Sequence, residues 1–88
     1  MTGRRGRLEI FLDVLKVLRR GESKPTRIMY SANLSWKPLM NILHNFVDQE
    51  IIALTNDHGR NCYSLTRKGY ETIKYFQTAL DKMGERYD

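Results

Sequence analysis

From Arg7 to Arg20 apolar residues recur at helical spacing, with Leu8, Phe11, Leu12, Leu15 and Leu18 on one stripe and Gly21 as a C-terminal stop. A second stripe, Ile10, Val14 and Val17, widens the apolar arc past half the circumference. Only Glu9, Asp13, Lys16 and Arg20 are left on a narrow polar face, and such a helix must be covered from two sides. Ser23-Lys24-Pro25-Thr26 opens a short second helix, because proline suits the first turn and Ser or Thr can cap it. That helix carries Ile28, Met29 and Ala32. Asn33 tolerates a left-handed conformation, so Ala32-Asn33-Leu34-Ser35 reads as a tight turn, after which Ser35 caps a third helix.

The third helix runs from Trp36 to about Gln49, with Pro38 tolerated in its first turn and Leu39, Ile42, Leu43, Phe46 and Val47 on one face. Lys37, Asn41, His44, Asn45 and Asp48 lie on the other. Ile51 to Thr55 is a short apolar, β-branched run, Asn56-Asp57-His58-Gly59 is a turn cluster, and Asn61 to Leu65 alternates Tyr63 and Leu65 with smaller residues. Together these predict a β-hairpin. Thr66 caps a fourth helix in which Gly69, Ile73, Phe76, Leu80 and Met83 recur at heptad seam spacing, with Gly84 expected to fray its end. The order helix, helix, tight turn, helix, hairpin, helix is that of a winged helix-turn-helix, in which the helix after the turn is the groove-reading element. The expected fold class is therefore mainly α with a small β-hairpin (α+β), closed by a coiled-coil-like C-terminal helix. The chain divides into a basic arm (1–6), a winged helix-turn-helix domain (7–66) and a dimerisation helix (67–88).

A chain of 88 residues has room for one core, and 41% apolar with 28% charged residues is the composition of a folded chain rather than a disordered one. The net charge of +5 favours a polyanionic partner. Residues 1–35 hold eight Lys/Arg against three Asp/Glu, so most of that excess is N-terminal. The single cysteine, Cys62, excludes an intramolecular disulfide and fits a reducing compartment. Alternation places it on the strand face opposite Tyr63 and Leu65. No apolar run approaches the roughly 18 residues that span a bilayer, and Met1 to Leu8 carries three arginines with no secretory h-region. A cytoplasmic location is expected, without a membrane partner. His44, His58 and Cys62 are the soft metal ligands, too few for a closed four-ligand zinc site, so no metal is expected. With no Gly-rich phosphate loop, nucleophile elbow or acid/base carboxylate pair, the expectation is a non-enzyme with no cofactor and no small-molecule ligand.

The segments RLEIFLDVL, KPTRIMYSANLSWKPLMNIL and CYSLTRKGYE resemble the small archaeal winged-helix family typified by the crenarchaeal 10a-type DNA-binding proteins. The likeness spans roughly residues 7 to 76, and TRIMYSANLSW is its specific part. The resemblance implies a nucleoid-associated winged-helix homodimer that binds double-stranded DNA, its last helices pairing as an antiparallel coiled coil. Such a protein acts as a transcriptional regulator or as an architectural chromatin protein. A winged helix can also serve as a protein-interaction module, with the apolar excess of the first helix as its docking face.

The residues offer their own chemistry for such a contact. Lys37 can neutralise a phosphate, Asn41 can pair bidentately with adenine, and His44 can donate to a base or a phosphate, although any solvated helix face also looks like this. Arg27 and Ser35 flank the turn as further polar contacts. Trp36, at the edge of the apolar stripe, suits core packing or a lid over the helix-two junction as well as contact with a sugar or thymine methyl. In the hairpin tip His58 and Arg60 flank Gly59, as a backbone-following wing or as an ordinary surface turn. Arg4, Arg5 and Arg7 read as a mobile basic arm that folds onto phosphates, or as a solvated tail. The seam of Ile73, Phe76, Leu80 and Met83 needs a partner helix, which could be the first helix of the same chain; the dimer interface is expected to combine that seam with Ile10, Val14 and Val17.

Overall fold

A computed structural model describes residues 5–87, with side chains through Met83; Arg4 of the expected basic arm lies outside the described residues. Among the described residues the elements are α1 (Arg7–Arg19), α2 (Pro25–Ala32), α3 (Trp36–Asp48), β1 (Ile52–Asp57), β2 (Arg60–Leu65) and α4 (Arg67–Tyr87). This is the mainly helical chain with a small β-hairpin that the apolar pattern predicts. Asn33 ends α2 in the left-handed region (φ 56°, ψ 53°), and its αL geometry lets the Leu34 amide donate back to the Met29 carbonyl at 3.1 Å. Two expected caps differ. The N-cap of α2 is Lys24, ahead of Pro25, and neither Lys24 nor Ser35 makes a side-chain cap bond. Proline at N1 already lacks one of the donors a cap would satisfy.

The hairpin is antiparallel, with register from Ile52 opposite Leu65 to Asp57 opposite Arg60. His58 and Gly59 form its two-residue turn, both at positive φ (53° and 81°), the combination a type I′ turn demands. Asn56 Oδ1 accepts the Gly59 amide at 3.0 Å and locks that turn. Strand alternation sends Ile52 and Tyr63 into the core and leaves Thr55 and Cys62 paired on the opposite face. The Tyr63 amide also donates to the Ser23 carbonyl at 2.9 Å, tying the hairpin to the α1–α2 linker.

α1 lies at the centre, packed against α4, α2 and β2. Its Val14 and Leu15 are fully buried, together with Ile28, Leu39 and Leu43. The fourth helix begins on a knot of backbone bonds. The Thr66 hydroxyl lies 2.7 Å from the Glu50 carbonyl and 2.9 Å from that of Ile51, and accepts the Gly69 amide at 3.1 Å. Thr66 is thus the N-terminal cap the sequence predicts. The helix does not end at Gly84 but continues to Tyr87. With 21 residues it is about 32 Å long and outreaches the 13-residue α1 on which it lies.

That packing corrects the expected dimer surface. Val14, Val17 and Ile73 are 0%, 2% and 3% exposed, all inside the chain's own core. Ile10 of the second stripe faces α3 and Val17 lies beside the end of α2, and as Val14, Val17 and Ile73 are all spent on the core, these three side chains cannot meet a partner. Phe76 and Leu80 pack partly against the same core. Ile10 is half-buried and Met83 is 50% exposed.

Burial also sets a pH response. Desolvation raises the pKa of the Tyr63 hydroxyl above its ordinary 10.0, so above about pH 10 the unfolded chain loses a proton that the folded chain keeps. Stability should therefore be unaffected by Tyr63 below that pH and fall as pH rises through the folded-state value. Urea midpoints from pH 8 to 11 should show a steeper alkaline decline for the native chain than for Tyr63→Phe. Parallel curves would show that the hydroxyl does not contribute.

Candidate nucleic-acid interface

The spacing of α3 puts Leu39, Leu43 and Phe46 against the core, and Lys37, Asn41, His44 and Asp48 on the opposite side, all exposed. Lys37, Asn41 and His44 are therefore brought together on one open face. Trp36 stands at the start of the helix, 48% exposed, so its ring is not a core residue. Ser35 is exposed just before it, its hydroxyl not engaged in capping.

Arg7 stands at the N-terminus of α1 and lines a groove of about 470 Å³ with Asn41 and Asn45 of α3; the floor is Ile10, Phe11, Leu34, Pro38 and Ile42. Two amides and a guanidinium thus stand together along one edge of α3. Asn45 is the member of this set that the sequence reading left among the generic polar positions; its signal was the i, i+4 spacing from Asn41.

Arg27 is exposed on α2 and shares a shallow hollow with Thr26, Tyr30 and Ser31. Tyr30, 79% exposed, was missed in the sequence, where an aromatic three residues from an arginine on a short amphipathic helix was the available signal. At the wing tip both His58 and Arg60 are exposed. The tip also carries a carboxylate, because Asp57 Oδ1 lies 2.7 Å from His58 Nδ1. Both partners of that pair are so exposed that it contributes little to stability, but it makes the wing less basic than His58 and Arg60 alone suggest.

Arg5 departs from its expected role. Its guanidinium is not on a free arm but folded back, with Nη1 donating to Asp13 Oδ2 at 3.0 Å and to the Ala32 carbonyl at 2.7 Å, and Nη2 donating to the Asn33 carbonyl at 2.8 Å. The cause is local: the last carbonyls of a helix lack intrahelical partners, and Asp13 on the adjoining helix adds a countercharge. Among the described residues no three His, Cys, Asp or Glu side chains gather as a metal set, and no helix is long and apolar enough to cross a membrane.

Comparison with known proteins places this geometry. Residues 4–84 match the winged helix-turn-helix family. An uncharacterized protein of Methanocaldococcus jannaschii is 38% identical over 66 residues, which is 75% of this chain but 29% of that protein. A second uncharacterized protein of the same organism is 41% identical over 34 residues, 39% of this chain and 35% of that one. The chain therefore spans about a third or less of the length of these relatives. Among solved structures, Sso10a-2, a DNA-binding protein from Sulfolobus solfataricus, superposes with a TM-score of 0.86 at 22% identity, covering 94% of this chain and 86% of that one. MepR, a transcription regulator of the Staphylococcus aureus multidrug efflux pump MepA, superposes with a TM-score of 0.71 at 18% identity, covering 89% and 61%. The element order, the left-handed turn at Asn33, the hairpin wing and the match over nearly the whole length agree: this chain belongs to the winged helix-turn-helix family.

Proposed function

We propose that this protein binds double-stranded DNA as a homodimer, with α3 as the groove-reading helix. It would act in the cytoplasm as a nucleoid-associated architectural protein or a transcription regulator. The observation that carries the reading is the shared open face of Lys37, Asn41 and His44, turned directly away from the buried stripe of α3. Such a face can enter a major groove without disturbing the core. Lys37 supplies phosphate contact, Asn41 supplies a bidentate match to adenine, and His44 supplies a donor. Arg7, Arg27, Ser35 and Tyr30 flank the face as backbone contacts, and Trp36 offers an apolar edge. His58 and Arg60 reach along the backbone from the wing, and Arg4 extends the basic N-terminus. Two similar folds support the reading: Sso10a-2 is a DNA-binding protein, and a MepR variant is bound to an oligodeoxyribonucleotide. The apolar floor of the groove between α1 and α3 favours one second reading, a protein-interaction module.

Binding to random and genomic duplexes, measured from low to physiological salt, separates the two. Affinity for any duplex should fall with salt at a log-log slope of about −0.9 per neutralised phosphate. Lys37→Ala and Arg60→Ala should each flatten that slope by about one and weaken all sequences alike, whereas Asn41→Ala should leave the slope and reduce discrimination. A protein that binds no duplex at low salt, or binds with salt-independent affinity, is not a DNA-binding protein, and the groove reading takes its place.

A further inference from the structure

The Arg5 contacts join three places: the residue before the N-cap of α1, the polar face of α1 and the end of α2. Asn33 holds the left-handed turn, and Ser35, two residues on, starts α3. Backbone bonding in the turn consumes the Met29 and Tyr30 carbonyls, which accept the Leu34 amide at 3.1 Å and the Asn33 amide at 3.2 Å. The last carbonyl of α2, Ala32, and that of its cap, Asn33, are the ones Arg5 takes. A guanidinium suits this task as an ammonium does not, because its donors fan out in one plane and can serve a carboxylate and two successive carbonyls at once. A cation at a helix C-terminus also meets the negative end of the helix dipole. The Arg5 side chain is only 29% exposed, so much of its surface is committed to these contacts.

We propose that Arg5 is a positioning residue of the interface: its guanidinium fastens the start of α1 to the end of α2 and so fixes the angle at which α3 is presented. The proposal rests on the duplex-DNA reading, but it makes a different demand of the same measurements. An arginine that neutralises a phosphate contributes about −0.9 to the salt slope, and a lysine can replace it. An arginine that holds the turn contributes nothing to the slope, and a lysine cannot replace it. The arrangement also splits the N-terminal arginines by role, with Arg5 turned inward onto the turn and Arg7 at the groove beside Asn41 and Asn45.

The test combines salt-dependent duplex binding with amide hydrogen exchange of the free protein, for the native chain, Arg5→Ala, Arg5→Lys and Asp13→Asn. Arg5→Ala should weaken duplex binding roughly tenfold through lost preorganisation, with the salt slope unchanged. The Asn33 and Leu34 amides should exchange at least about tenfold faster, while the Leu15 and Val17 amides in α1 keep their protection. Arg5→Lys should follow Arg5→Ala in both readouts, and Asp13→Asn should move the same way by less. A slope flattened by about one in Arg5→Ala with exchange at the turn unchanged, or native binding and exchange in Arg5→Lys, would overturn the proposal. If the native chain binds no duplex, the functional reading fails at that point, while exchange at Asn33 and Leu34 still decides whether the clamp holds the turn.

Discussion

Gly69→Ala should destabilise the protein by about 2 kcal/mol and lower its melting temperature by on the order of 10 °C. In an isolated helix the sign is opposite, because alanine is favoured over glycine by about 1 kcal/mol. The site reverses it. A Cβ at Gly69 would strike the carbonyl oxygen of Ile51 and come within 2.9 Å of the Leu65 side chain. The carbonyl is not free to retreat, since it accepts the Thr66 amide at 3.2 Å and lies 2.9 Å from the Thr66 hydroxyl. Relief therefore requires lifting the first turn of α4 away from the α3–β1 junction, which breaks bonds worth about 1 kcal/mol each. Lys68, whose ammonium lies 2.8 Å from the Gln49 carbonyl, would move with it. Thermal and urea unfolding followed by circular dichroism measures the effect, and an unchanged or higher melting temperature for Gly69→Ala would show that the junction yields at no cost.

Gly69 illustrates how far periodicity carries. The alternation of four and three identifies the seam of α4, and Thr66 before it marks the start of the helix, because capping and spacing are local properties that one segment expresses by itself. Asn33 was legible for the same reason: few side chains accept the left-handed region, and this one sits between two helical patterns. What periodicity cannot say is against what a stripe packs. Val14, Val17 and Ile73 have the spacing of an interface, but all three are buried in the chain's own core. Nor does spacing reveal that the smallness of Gly69 serves a close backbone approach rather than a helix seam.

The candidate site divides along the same line. The polar face of α3 could be read directly, since Lys37, Asn41 and His44 are where they are because Leu39, Leu43 and Phe46 are buried. Arg5 could not. Its partners Asp13, Ala32 and Asn33 lie 8, 27 and 28 residues away, and two of the three contacts are to backbone carbonyls, which carry no sequence signal. Arg7, by contrast, joins Asn41 and Asn45 only because α1 and α3 cross at that end of the bundle. Composition registers these arginines alike as positive charge, while the fold gives one to the turn and the other to the surface.

Ala79→Asp combined with Met83→Asp should convert the proposed homodimer to a monomer and weaken duplex binding on the order of a hundredfold. The positions follow from what α4 leaves uncovered. Gly69 and Ile73 are spent on the chain's own core, and Phe76 and Leu80 pack partly there, so aspartate at any of these would damage the domain as well as the dimer. Met83 is 50% exposed near the far end of the described seam, and Ala79, half-buried one turn before it, lies on the same flank. A short stripe holds two helices together only weakly, and Ile10, on the floor of the groove between α1 and α3, does not extend it, so the proposed contact is easily broken. Two carboxylates placed in an apolar contact without partners cost several kcal/mol, more than a patch of this size returns. The loss of DNA affinity then comes from halving the number of bound faces, because the second α3 and wing of a twofold dimer bind at high effective concentration once the first is engaged. Sedimentation equilibrium at tens of micromolar, on the order of ordinary assay concentrations, reads the assembly. Duplex titration of the same samples reads the function, and an unchanged melting temperature confirms that the core is intact. A native chain that is already monomeric at those concentrations, or a double variant that remains dimeric and binds as before, would remove α4 from the interface and leave its open flank to solvent.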